Sequence, residues 1–377
     1  MKKPYNETWI RNLAVQEISE RWYFKNLISQ VQFEAVKTNF PEHFYRPGIF
    51  VKIGLFLFST IACAFFIGFI SLLFTNTSGK TFAVITFICF LCLSFLLEYL
   101  IINRKLYHSG TDNALLYAAI GLLASTVFIL FEHLEFWQYC VLLLIVLVAA
   151  TYRYADMLTT AGSFLTLFTL MANLMMKVSL GKALLPFAVM ALSIAIYYLM
   201  KKIKDPYYKN CRTLLEIMSV ITFYLGGNYY VIREGNAWIS NLVPSVQIAF
   251  APVFYSFTAL IPITYIFLGL KVKNRILLIV GLIALGCSVY TFRFYFGFLT
   301  IAQGLTIAGL LMILFAALFI QFLRKPKHGI SDETEDERKF TNLEVILAAQ
   351  YLGQTPQDKG LEFGEGNFGG AGAGDSY

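Results

Sequence analysis

The side chains with most to offer chemically in this 377-residue chain are a polar set inside otherwise apolar sequence. The run "LGGNYY" supplies Gly226, Gly227 and Asn228, and Gln247, Ser256, Thr258 and Gln303 follow, with Pro252 and Pro262 among them and Pro244 just before. Proline removes a backbone donor, and a Gly-Gly-Asn run weakens a helix, so both free main-chain groups that a closed helix would hide. Freed carbonyls and amides, joined by amide and hydroxyl side chains, are what a discontinuous membrane helix uses to hold a small solute. The set is therefore a candidate polar cavity, with Gly226, Gly227, Pro252 and Pro262 as candidate helix breaks. Isolated Pro and Gly also kink membrane helices without any role in binding, and that reading stands beside the first.

Bond-making chemistry finds little support. The chain has no P-loop, no G-x-S-x-G elbow and no dinucleotide fingerprint, and "FGGAGAG" near the end neither follows a strand nor opens a helix that would hold its amides toward a phosphate. Cys89-x-x-Cys92 lies in "TFICFLCLSF" with no His or second Cys pair to complete a tetrahedral site, so packing explains it. His43, His108, His133 and His328 form no H-E-x-x-H pair, and "FEHLEF" reads as a solvated turn. No catalytic residue, metal or cofactor is assigned. Glu98, close to Arg104 and Lys105, and Glu216, one turn after Arg212, are expected to snorkel or to pair locally, and Asp156 with Arg153 is a similar pair, all near span ends. A charge-free centre in every expected span argues against a pump built on a midplane carboxylate.

The elements that must position these residues are membrane helices. Hydrophobic residues make up 58% of the chain and charged ones 14%, against about 25% charged in a soluble domain. Apolar blocks of spanning length are expected at 49–74, 82–102, 113–131, 136–152, 157–176, 183–200, 213–232, 245–270, 274–292 and 298–323. The fold class is all-α, a polytopic transmembrane helix bundle of about ten spans. Three regions follow: a cytoplasmic amphipathic helical segment over 1–48, the bundle over 49–323, and a cytoplasmic acidic linker, short helix and Gly-rich tail over 324–377. In the first region Ile10, Leu13, Ala14 and Ile18, then Phe24, Leu27, Ile28, Val31 and Ala35, recur at helical spacing before Pro41 and Pro47. This segment reads as a cap on the bundle or the headgroups, or as a docking surface for a partner. Charges interrupt the basic start before an apolar core forms, so no cleaved signal peptide is expected.

With ten crossings, 22 of the 30 Lys and Arg residues fall on the side of the N-terminus and five on the opposite side. By the positive-inside rule both termini are expected in the cytoplasm. The net charge of +7 thus reports orientation and contact with membrane lipids, and nucleic acid is not an expected partner. The tail pairs an acidic linker, "SDETEDER", with a capped helix over "TNLEVILAAQYLG" and a Gly-rich end too poor in apolar area to order alone. Phe363, Phe368, Gly369, Gly370 and Tyr377 are its candidate docking residues for a protein partner. The first functional expectation is a non-enzymatic accessory or scaffold subunit working through that tail or the N-terminal helices. The alternative is a transporter or channel for a small weakly polar solute.

The layout, with a helical N-terminus and then spans paired by short turns such as "LYHSGTDNALLYAAIGLLASTVFILF", resembles bacterial "predicted membrane protein" families of unknown function. That resemblance implies a bacterial inner-membrane location and no particular activity. The ending "NFGGAGAGDSY" resembles the Gly-rich, aromatic-ended C-termini of TPM-domain envelope proteins, although the TPM domain itself is absent here.

Overall fold

The computed structural model describes residues 3–74, 77–241 and 244–297, together with positions 303, 306, 309, 310, 313, 314, 317 and 321. Two short helices come first, α1 (Glu7–Phe24) and α2 (Gln30–Asn39). Asn6 starts α1 by accepting from the amides of Thr8 and Trp9, and Ser29 with Gln32 closes a reciprocal capping box on α2. The expected periodic set Phe24, Leu27, Ile28, Val31 and Ala35 does not share one helix: residues 25–29 form the turn between α1 and α2, because the Ser29 capping box starts a new helix.

Then follow α3 (Ile49–Leu73), α4 (Gly79–Arg104), α5 (Thr111–Leu130), α6 (Phe136–Tyr154), α7 (Met157–Met176), α8 (Gly181–Lys202), α9 (Lys209–Gly227), α10 (Tyr229–Ile239), α11 (Ala251–Lys271) and α12 (Arg275–Phe296). A 3-10 turn, Pro206–Tyr208, leads into α9. The chain is an all-α polytopic bundle. Eight helices among the described residues, α3 to α8, α11 and α12, are long and apolar enough to cross a membrane. This corrects the expected ten. The seventh expected span, 213–232, is cut into α9 and α10 at Asn228, and α9 carries Lys209, Arg212 and Glu216, which dilute its apolar content. The tenth, 298–323, lies outside the described residues apart from isolated positions.

Sequence neighbours pack as antiparallel pairs: α4 on α5, α6 on α7, α8 on α9, α11 on α12, with α3 against α5. Short connections favour this arrangement. One apolar core joins Leu93, Leu97 and Ile101 of α4 to Leu115, Ala119 and Leu122 of α5. Another joins Met190 of α8 and Val220 and Tyr224 of α9 to Ile261 and Tyr265 of α11 and Leu277 and Val280 of α12. Outward faces are equally apolar, as at Phe58 and Phe65 of α3, which suits a bundle whose surroundings are lipid rather than water.

Candidate functional site

The break between α9 and α10 consists of one residue. Asn228 is extended (φ −82°, ψ 122°) and only 1% exposed, which halts one helix and starts the next inside the bundle. Its side-chain oxygen accepts from the Val231 amide at 3.1 Å, as an N-cap does. Its side-chain nitrogen donates to the Tyr224 hydroxyl at 2.7 Å and lies 3.1 Å from Thr291 Oγ1 on α12. The next amide, that of Tyr229, donates to Thr258 Oγ1 on α11 at 2.9 Å. Two donors at the start of α10 are thereby satisfied without water.

A second interruption sits beside the first. Pro262 has no amide to give to the Thr258 carbonyl one turn earlier, so that acceptor would be orphaned in an apolar core. Ser288 of α12 supplies the missing donor, with its Oγ 2.6 Å from Thr258 O. Tyr224 OH and Ser288 Oγ are 2.9 Å apart, so a line of hydrogen bonds runs from Asn228 through Tyr224 and Ser288 to Thr258. Helices approach closely here because of the glycines: a Cβ at Gly227 would lie 2.4 Å from Ile261 Cδ1, and one at Gly226 would lie 3.3 Å from the Pro186 carbonyl of α8. Pro186 is itself inside a helix. Three of the four helices meeting here are therefore interrupted or lack a ladder donor.

Toward the far end of α10 the polar line continues. Tyr229 OH donates to Gln247 Oε1 at 2.9 Å and accepts from Arg233 at 3.1 Å, while Arg233 also donates to the Ser245 carbonyl at 2.8 Å. Glu234 accepts from Ser245 Oγ at 2.8 Å and from Tyr295 OH at 2.5 Å. Tyr229 stacks on Tyr255 with ring centroids 4.1 Å apart.

Of the expected cavity residues, the structure brings together Asn228, Gln247, Thr258, Gly226, Gly227 and Pro262. Ser256 is exposed and donates to the Pro252 carbonyl, Pro252 is exposed as well, and Gln303 stands at an exposed helical position; Gln247 is exposed too, and joins the group only through the Tyr229 hydroxyl. The tail residues Phe363, Phe368, Gly369, Gly370 and Tyr377 lie outside the described residues. Sequence reading passed over Pro186, Tyr224, Tyr229, Ser288 and Thr291. Ser288 and Thr291, at i and i+3, share a helix face, and that spacing was the available signal.

The face carrying the N-terminus holds a different polar cluster. Asp112, in the first turn of α5, accepts from Tyr5 OH at 3.2 Å, from the His108 and Ser109 amides at 2.8 Å each, and from Ser109 Oγ at 3.0 Å. Asp156 caps α7 through the Thr159 amide at 2.9 Å and takes Asn113 at 2.7 Å and Tyr117 at 2.9 Å, not its expected neighbour Arg153. Arg153 instead meets Glu98 at 2.7 Å, so the expected local pairing of Glu98 with Arg104 or Lys105 is also corrected. The fold brings α4 and α6 ends together and offers Glu98 a second donor, Tyr154 OH at 2.5 Å. Only Glu216 pairs as expected, with Arg212 at 3.5 Å. His108 borders a cavity of about 30 Å³ with Ile10, Leu13, Tyr107, Tyr207 and Lys209. Burial pushes the His108 imidazole below its usual 6.5, against the pull of Asp112 and Asp156. Burial and the nearby Glu17 charge push the Tyr107 phenol up to about 12.

The chain matches no protein-family model, and neither the curated proteins nor the solved structures contain a significant match to it.

Proposed function

We propose that this integral membrane protein is a transporter or channel for a small, uncharged, hydrogen-bonding solute, and not an enzyme, with the α9–α10 break as its binding point. The observation that carries this reading is a helix interrupted at a fully buried Asn, beside a second helix whose Pro262 leaves the Thr258 carbonyl dependent on Ser288. Every donor and acceptor on the Asn228 side chain is paired within the protein, so a solute would bind by exchange, with its own hydroxyl or amide groups replacing Tyr224 or Thr291. The stretch from Asn228 through Tyr224 and Ser288 to Thr258 holds no charged side chain, which favours a neutral cargo, and the charged Arg233 and Glu234 stand further along α10. In the same reading the protein lies in a bacterial inner membrane with both termini in the cytoplasm.

Flux into proteoliposomes tests it. A panel of polyols, amides and small alcohols should include a solute that enters faster than into empty vesicles, and Asn228→Leu should abolish that excess. A panel with no excess flux for the wild-type protein would end the proposal.

The accessory-subunit reading rests on the tail, whose residues from 331 onward carry ten acidic and three basic side chains. Truncation after Lys327 should then cost a co-purifying partner while leaving flux intact. Unchanged recovery of the partner removes that reading.

A further inference from the structure

Helix α1 is longer than the protein surface beneath it. The chain is fixed to the bundle from just before α1 as far as Glu17: Lys3 pairs with Asp205 at 2.8 Å, Tyr5 with Asp112 at 3.2 Å, and Glu17 with Lys209 at 2.7 Å, while Ile10 and Leu13 are buried between these anchors. Ile10, Leu13 and Glu17 are spaced i, i+3 and i+7 and so define one helix face. The same face continues through Arg21 to Phe24, at i+11 and i+14. Glu17 is the last of these anchors, yet the helix runs on for another seven residues to Phe24, about 10 Å further. At its end Phe24 is 70% exposed, and Leu27 in the turn beyond is 67% exposed. The docking face runs off the edge of the protein.

What lies under that overhang follows from the level at which α1 sits. Asp205 stands between the end of α8 at Lys202 and the start of α9, Lys209 opens α9, and Asp112 stands in the first turn of α5. A face that meets these residues faces the plane in which the spans begin. Beside the bundle, that plane is the headgroup layer. The tip is held out there by a paired helix: Tyr23 stacks on Phe33 of α2 at 5.1 Å, and Gln16 and Asn12 donate to the carbonyls of Phe40 and Pro41 at 2.6 and 2.7 Å. An aromatic ring flanked by Arg21 and Lys25 is the composition that settles among phosphates, with the ring at the acyl boundary and the cations at the anionic headgroups.

We propose that the Arg21–Leu27 end of the α1–α2 hairpin rests in an anionic phospholipid headgroup layer, so that α1 is docked half on protein and half on lipid. Trp22 supplies an internal control. It is two residues, roughly 200° of helix turn, from Phe24 and faces away from the bilayer.

The test uses full-length protein in nanodiscs containing anionic lipid and lipid brominated near the headgroup end of its chains. Trp9, Trp137 and Trp238 are replaced by Phe, and two reporters are compared: native Trp22, and the indole introduced by Phe24→Trp with Trp22→Phe. Emission from position 24 should be quenched at least about twofold and shifted to the blue, emission from Trp22 should change little, and purely zwitterionic discs should weaken the quenching. Should the reporters fail to fold, the unaltered chain gives a second reading. Tryptic cleavage after Lys25 should be several-fold slower in anionic than in zwitterionic discs. Equal quenching at both positions, no quenching at position 24, or equal cleavage rates in the two lipids would overturn the proposal, and so would protection that appears only when a soluble protein is added.

Discussion

Asn228 performs several tasks that a helical residue would leave to the backbone. It caps α10, gives Tyr224 a donor, and ties α9 to Thr291 of α12. Replacement by Leu keeps the volume but strands the Val231 amide in an apolar setting and takes one partner each from Tyr224 and Thr291, which keep Ser288 and the Cys287 carbonyl. A loss of about 1–3 kcal/mol is expected, at the lower end if neighbouring groups find one another, and a thermal or denaturant unfolding series in detergent measures it. His108 makes a prediction of the opposite electrical kind. Burial lowers its pKa and the Lys52 charge adds to this, while Asp112 and Asp156 oppose it, with Tyr5 and Tyr107 rings packed alongside. The folded state thus holds the imidazole neutral. Its contribution to stability is complete above the usual 6.5 and is lost as pH falls below that value toward the lowered folded one. Protection of the α1 amides, after correction for the pH dependence of intrinsic exchange, should fall between pH 7.5 and 5.5, and His108→Gln should flatten the response. An unchanged slope in that variant would assign the effect to other groups.

At the scale of elements, the pairing of α11 with α12 rests on a substitution of donors. Ser288 serves the Thr258 carbonyl because Pro262 cannot. In the native background Ser288→Ala should cost about 1 kcal/mol. In a Pro262→Ala background the residue 262 amide returns, the carbonyl regains its helical partner, and the same Ser288→Ala change should cost markedly less. A double-mutant cycle with no coupling would contradict this account. A sharper cost is expected at Gly110, which joins Lys105–Ser109 to α5 at φ +105° and would place a Cβ 2.3 Å from the Lys52 carbonyl of α3. Backbone cannot step aside as a side chain can, so Gly110→Ala should lower the melting temperature more than Gly227→Ala, whose clash is with the mobile end of Ile261. The helices themselves were legible as apolar blocks: 49–74 was expected against Ile49–Leu73, and 157–176 against Met157–Met176. The break at Asn228 was legible only in part. Apolar content sees through it, since Tyr229 to Ile232 look like more of the same span, and what stops α9 is a hydrogen bond to Thr258, 29 residues away in sequence. For the same reason the partners of Glu98 and Asp156 were out of reach, since each is chosen by helix packing and not by neighbours along the chain.

For the molecule as a whole, the side of the membrane on which α10 and the start of α11 lie depends on α9. It runs antiparallel to α8 along that helix's length: Arg212 donates to the Ile203 carbonyl at one end, and Gly226 meets Pro186 and Val189 at the other. Nineteen residues give about 28 Å, close to the roughly 30 Å of a hydrocarbon core. This packing predicts that α9 crosses wherever α8 does, although its charges keep it out of the eight helices apolar enough to span by composition. The consequence is a sidedness that cysteine labelling can read. In a chain whose native cysteines are replaced, and with the termini cytoplasmic as proposed above, Trp238→Cys, at a residue 84% exposed just before the end of α10, should react with an impermeant maleimide in intact cells. Lys204→Cys, beside the α8–α9 turn, should react only after lysis. If both positions are shielded until lysis, α9 does not cross, α11 begins on the same side as α1, and the buried Asn228 ceases to be an intramembrane break. A solute path through it would then have no bilayer to traverse, whatever flux the purified protein shows.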